Sequence, residues 1–77
     1  MKVTILLYGQ LIDKVGKNEI EVEDVANTEE LIAKLTANYP DITQINYKIA
    51  INQSIITSTS QLNEGDEIAL LPPFAGG

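Results

Sequence analysis

The sequence closes on ALLPPFAGG, residues 69–77, and the group with chemistry there is not a side chain. Pro72, Pro73, Phe74, Ala75, Gly76 and Gly77 carry no acid, base or metal ligand in their side chains. Gly77 does bring an α-carboxylate, with a pKa of roughly 3.5 and therefore ionised at neutral pH. A carboxylate is a poor electrophile, because attack would have to expel oxide. Adenylation by ATP replaces oxide with AMP as the leaving group, and a sulfur or nitrogen nucleophile can then displace AMP. The chain has no cysteine. Sulfur carried by it would sit on the terminus, as a thiocarboxylate.

The six residues after Leu71 suit such a use. Extended, they reach roughly 20 Å. Pro72 and Pro73 hold the base of the arm toward extended geometry. Phe74 supplies one apolar anchor for a partner's pocket. Ala75, Gly76 and Gly77 keep the arm thin enough for a narrow channel. The expected organisation is one folded domain over residues 1–71 and a protruding tail over residues 72–77, with Gly77 as the reactive position.

Composition excludes most side-chain chemistry. With no cysteine, disulfides, thiolate catalysis and cysteine metal clusters are ruled out. No histidine is present either, so no side chain titrates near neutrality without perturbation. No pair of carboxylates has the spacing of a metal or hydrolytic site, and no metal is expected. Eleven acidic residues against five lysines give a formal charge of -6. That balance disfavours nucleic acid and anionic membrane surfaces and favours a partner with a basic face. MKVTILLYGQ opens like a signal peptide, but the apolar run breaks at Gly9-Gln10. No stretch approaches the ~18 apolar residues of a membrane span. A cytoplasmic protein is expected.

The elements that must position the tail are legible from hydrophobic spacing. Residues 2–8, KVTILLY, alternate Val3, Ile5 and Leu7 on one face with Thr4, Leu6 and Tyr8 on the other, and Gly9 ends the strand. Residues 13–18, DKVGKN, read as a turn. Residues 19–25 begin with strict alternation, Ile20 and Val22 against Glu19, Glu21 and Glu23, a strand with one wet face. The pair suggests a hairpin. A helix follows, capped by Thr28 or by Asn27, with Glu30 completing a capping box in the second case. Leu31, Leu35 and Tyr39 recur at four-residue spacing with Ile32 beside them, and Pro40 stops the helix. Residues 41–46 form an irregular or short helical connection. A third strand runs from Tyr47 to Ile51, with Tyr47, Ile49 and Ile51 on one face. Asn52-Gln53 is a turn, residues 54–57 a short edge strand, and Leu62 an apolar plug. Asn63-Glu64-Gly65-Asp66 is a turn, and Glu67 to Leu71 the final strand. This order is α+β: a ubiquitin-like β-grasp, a mixed sheet with one main helix on one face. Its first and last strands should be central, parallel neighbours.

The chain resembles the small subunit of molybdopterin synthase, a family of β-grasp sulfur carriers, over essentially its whole length. KVTILLYGQL resembles that family's first strand and turn, with Val15-Gly16 at its hairpin glycine. Thr28 and Leu31 stand where the family helix begins, and Asn52 matches an asparagine after the third strand. Residues 62–68, LNEGDEI, resemble an L-x-x-G-D-E-V segment, and residues 71–77, LPPFAGG, resemble an L/F-P-P-x-x-G-G ending. The double proline is the more specific part. Many members carry Arg-Glu where this chain has Ile12-Asp13, and a phenylalanine-rich first strand where it has Leu6, Leu7 and Tyr8.

The resemblance implies that an E1-like enzyme adenylates the terminus with ATP and that sulfuration then gives a thiocarboxylate. It implies a large catalytic subunit into which the tail inserts, in a heterotetramer. There sulfur passes to a cyclic pyranopterin monophosphate, two carriers being used in turn. The small subunit would bind no cofactor permanently and would not be catalytic alone. Tyr8, Asp66 and Glu67 are candidate interface residues. Rival readings keep the terminal chemistry or discard it: a sulfur carrier for thiamine or tRNA thiolation, a ubiquitin-like protein modifier, or a binding module whose tail does nothing covalent.

Overall fold

The computed structural model describes Lys2 to Pro72. Strand β1 (Lys2–Leu7) buries Val3, Ile5 and Leu7 and leaves Thr4 and Leu6 half-covered on its other face. This is the pattern of a strand with neighbours on both sides and one face on the core. Strand β2 (Glu19–Glu23) pairs antiparallel with it, Val22 opposite Val3 and Ile20 opposite Ile5, its glutamates exposed. Between them lies a short helix, α1 (Gln10–Val15), where the sequence suggests only a turn. Its six residues are too few to show a helical period, and its signal is small: Leu11, Ile12 and Val15 inward, then Gly16. Leu11 is fully buried, and Gly16 ends the helix at φ 86, donating its N–H to Ile12 O at 2.7 Å. The two strands therefore pair as expected, but not through a tight hairpin.

Helix α2 (Thr28–Asn38) is capped by Asn27, whose Oδ1 accepts from Glu30 N at 2.9 Å. Glu30 reaches back one residue further than in a standard capping box, accepting from Ala26 N at 2.9 Å. Thr28 is not the cap. It is buried, and its backbone and hydroxyl hold Ser60 from both sides: Thr28 N donates to Ser60 O, and Ser60 N donates to Thr28 Oγ1. That clamp brings the loop carrying Leu62 over the helix start, where Leu62 fills the core as the expected plug. Leu31 and Leu35 are buried against the sheet, and Tyr39 closes the helix before Pro40. A 3-10 helix over Pro40–Gln44 buries Ile42 and leads into the second half of the sheet.

Strands β3 (Lys48–Ile51) and β4 (Ser54–Ile56) form a hairpin across Asn52-Gln53, with φ 49 and 75 at the two loop residues. Positive φ at both places marks the turn whose twist suits flanking strands. Strand β5 (Glu67–Leu71) lies between β3, antiparallel, and β1, parallel, so the sheet order is β2-β1-β5-β3-β4. The first and last strands are central, parallel neighbours. This is the β-grasp, with α2 across one face. One detail differs from the sequence reading: Tyr47 precedes β3, and the most buried residue of that strand is Ala50, on the face away from α2. Ala50 stands between Ala69 of β5 and Ile55 of β4, and a side chain that small is covered by its neighbours.

Candidate functional site

The parallel pairing of β1 and β5 sends both chains out of the sheet at one end. Leu7 is the register partner of Leu70, so Gly9 arrives beside Pro72. Only one chain can continue there. β1 turns away at Gly9 (φ 57, ψ −132), which starts α1 with Ile12 N bonded to Gly9 O at 3.1 Å. β5 goes straight on to Pro72, which has no N–H to extend the ladder. Pro72, placed in the protruding tail on sequence grounds, is buried, with its ring against Gly9. The fold thus has a defined exit, in the middle of the sheet. Pro73, Phe74, Ala75, Gly76 and Gly77 lie outside the described residues.

Around that exit stand Tyr8, 42% exposed, and a hollow of about 200 Å³ lined by Asn46, Tyr47, Lys48 and Leu71. Lys48 is the register partner of Leu71. Tyr47 is half-buried, and loss of solvation pushes its phenol above the usual tyrosine value. It stays an uncharged hydroxyl at any physiological pH. In the sequence Asn46, Tyr47 and Lys48 have no functional reading: Asn46 ends the connection over residues 41–46, and Tyr47 and Lys48 open the third strand.

The other two sequence candidates lie elsewhere. Glu67 begins β5 and Asp66 directly precedes it, about 13 Å from the strand's far end at the ~3.3 Å rise of a strand, so the structure does not bring them to Tyr8. Asp66 does not offer its carboxylate to a partner, contrary to the sequence reading. It is 8% exposed, and both oxygens are engaged: Oδ1 by Asn52 Nδ2 at 3.0 Å, Oδ2 by Asn63 N at 2.8 Å. Asn52 in turn accepts from Glu67 N through Oδ1 at 3.0 Å. This latch joins the β3–β4 hairpin to the turn before β5. Glu67 is exposed and stands opposite Thr4.

A second feature was legible only as apolar content on both faces of the central strands. On the sheet face away from α2, Leu6, Ala69, Ala50 and Ile55 are successive register partners across β1, β5, β3 and β4. Leu71 lies on the same face, and Ile55 is 57% exposed. Along the β2 side runs an acidic border: Glu19 pairs with Leu6, Glu21 with Thr4, and Glu23 with Lys2. Lys2 Nζ meets Glu21 Oε2 at 3.3 Å. An apolar strip with a charged rim, ending beside the exit, has the anatomy of a protein–protein contact. Among the described residues no histidine, cysteine, aspartate and glutamate side chains group to hold a metal, and no helix is long and apolar enough to cross a membrane.

Comparison with known proteins agrees with this geometry. The profile of the ThiS family matches residues 5–77. The molybdopterin synthase sulfur carrier subunit of Chlamydomonas reinhardtii is 31% identical over the whole of both chains. Its counterpart in Mycobacterium tuberculosis (strain ATCC 25618 / H37Rv) is 30% identical over 100% of this chain and 99% of that one. Among solved structures, SAMP1 from Haloferax volcanii superposes with a TM-score of 0.86 at 19% identity over 100% of both chains, a likeness of fold. A chain in the complex of subunits 1 and 2 of the molybdopterin-converting factor from Helicobacter pylori 26695 gives a TM-score of 0.77 at 25% identity, again over 100% of both chains.

Proposed function

This chain belongs to the ThiS family, and from that premise we propose that it is the sulfur carrier subunit of a molybdopterin synthase. The observation that carries the reading is the junction of fold and tail. A β-grasp delivers its last central strand to an exit at Pro72, and the family match runs on from there through Gly77. The Gly77 carboxylate attacks the α-phosphate of ATP on an E1-like enzyme and becomes an acyl adenylate, with pyrophosphate released. Sulfide-level sulfur from a donor attacks the acyl carbon, AMP leaves with its bonding pair, and the thiocarboxylate remains. In the large catalytic subunit that sulfur passes to a cyclic pyranopterin monophosphate, and a second carrier supplies the other sulfur of the dithiolene.

Each residue set has a part in this. Pro72 and Pro73 set the arm's base, Phe74 anchors in the partner, and Ala75, Gly76 and Gly77 thread a narrow channel. The strip of Leu6, Ala69 and Ile55, with Tyr8 at its end, docks the large subunit, and the glutamates of β2 face a basic rim. Bases and phosphate-binding groups come from that subunit, since this chain has no histidine and no arginine. Deleting Gly77 tests the reading in the reconstituted complex. The shortened chain is expected to fold and to bind the large subunit, but to transfer no sulfur. Retained transfer would refute it.

A further inference from the structure

Three glycines of the described chain have positive φ: Gly9, Gly16 and Gly65. They are not alike. A Cβ built on Gly16 or Gly65 meets nothing within 4 Å, whereas one on Gly9 would stand 3.3 Å from Pro72 Cγ and 3.9 Å from Pro72 Cβ. Gly16 merely ends α1. Gly9 does two things at once. Its φ 57 and ψ −132 are open to glycine and strained for any residue with a Cβ, and they turn β1 out of the path of β5. Its bare Cα then leaves room for the proline ring at the point where β5 stops being a strand.

We propose that Gly9 is a positioning residue for the carrier reaction: by presenting no Cβ it seats Pro72, and so it sets the direction in which the tail leaves the sheet. This rests on the reading of Gly77 as the sulfur-bearing terminus. The ring of Pro72 fixes its own φ near −65°, so a displaced ring carries the following residue with it. Five residues lie beyond Pro72, a reach of roughly 17 Å when extended. A Cβ on Gly9 would force the Pro72 ring to give way by a few tenths of an ångström at the root of the tail, and misplacement far from the chemistry, on the order of 1 Å, costs up to about a hundredfold in rate.

The test compares Gly9→Ala, Gly16→Ala and Pro72→Ala with the unaltered chain. Gly16→Ala imposes a strained φ without touching Pro72 and controls for stability. Pro72→Ala removes the ring without straining Gly9 and serves if Gly9→Ala does not fold. Single-turnover sulfur transfer, measured with the large subunit in saturating excess, should fall about tenfold to a hundredfold for Gly9→Ala and Pro72→Ala. Gly16→Ala should transfer at the original rate. Equal rates for all four chains, or equal losses for Gly9→Ala and Gly16→Ala, overturn the inference. A second readout needs no sulfur. With a nitroxide on Ala75→Cys, unique because the chain has no cysteine, the amides broadened across the domain report where the tail points. Gly9→Ala should redistribute that broadening and Gly16→Ala should not. An identical pattern overturns the inference even if the unaltered chain accepts no sulfur, an outcome that would instead refute the carrier reading.

Discussion

Exchanging the two ends of the Asn52–Asp66 latch should restore a stability that each single exchange removes. In the native chain every polar atom of the latch has a complement. Asn63 N and Asn52 Nδ2 donate to Asp66, and Glu67 N donates to Asn52 Oδ1. In Asp66→Asn one amide nitrogen must face a donor whichever way either amide is flipped: Asn63 N, Asn52 Nδ2 or Glu67 N. One bond is lost and one donor is left partly unsatisfied, a cost of about 1–3 kcal/mol. In Asn52→Asp two carboxylates face each other across the 3.0 Å of the present bond, and their repulsion costs a similar or larger amount. The double exchange is complementary again. The new carboxylate at position 52 accepts from Glu67 N and from the new amide at position 66, whose oxygen accepts from Asn63 N. Urea unfolding reads the result. At about 1 kcal/mol per molar for so small a domain, each single variant should lower the midpoint by about 1–3 M, and the double variant should lie within about 1 M of the native chain. Additive losses in the double variant would refute the latch. Sulfur transfer by the folded variants should be unchanged, because the latch lies at the opposite end of β5 from the tail.

Three further outcomes follow from the same geometry. Gln53→Gly should stabilise the domain by about 0.5–1 kcal/mol in urea unfolding, because Gln53 holds φ 75, where a Cβ is unfavourable. Ala69→Glu places a charge in the middle of the apolar strip; it should weaken binding to the large subunit at least tenfold by calorimetry, and native affinity would remove the docking face. The phenol of Tyr47 is raised by burial, so the native state holds that proton more tightly than the unfolded chain. Its contribution is complete below the unfolded value of about 10 and is lost as pH rises through the folded one. Stability should therefore fall in alkali, and Tyr47→Phe should flatten that fall.

What the sequence disclosed was set by the length and regularity of each signal. Five alternating residues in EIEVE and four-residue spacing from Leu31 to Tyr39 are long enough to fix β2 and α2. Apolar residues on both faces of ILL and IALL place β1 and β5 in the centre of the sheet, and their parallel pairing follows. α1 escaped because six residues hold less than two helical turns, and because Gly9 looked only like a strand's end. The cap was settled by a backbone angle: Asn27 is extended at φ -152 and ψ 173, whereas Thr28 is already helical and turned to Ser60. Asp66 looked free because a turn of Asn, Glu, Gly and Asp is normally wet. Its burial depends on Asn52, fourteen residues earlier, and no local pattern records that pairing. The strip across the open face has the same origin. Leu6, Ala50, Ile55 and Ala69 are scattered in the chain and become neighbours only through strand register.

The central claim concerns one atom pair at Gly77, and intact mass spectrometry addresses it most directly. The chain is incubated with ATP, a sulfur donor and an E1-like activating enzyme that is active on its own carrier. One terminal oxygen should be replaced by sulfur, with the change confined to the C-terminal fragment and absent when Gly77 is deleted. An unchanged mass under those conditions, or sulfur found anywhere but on Gly77, would contradict it.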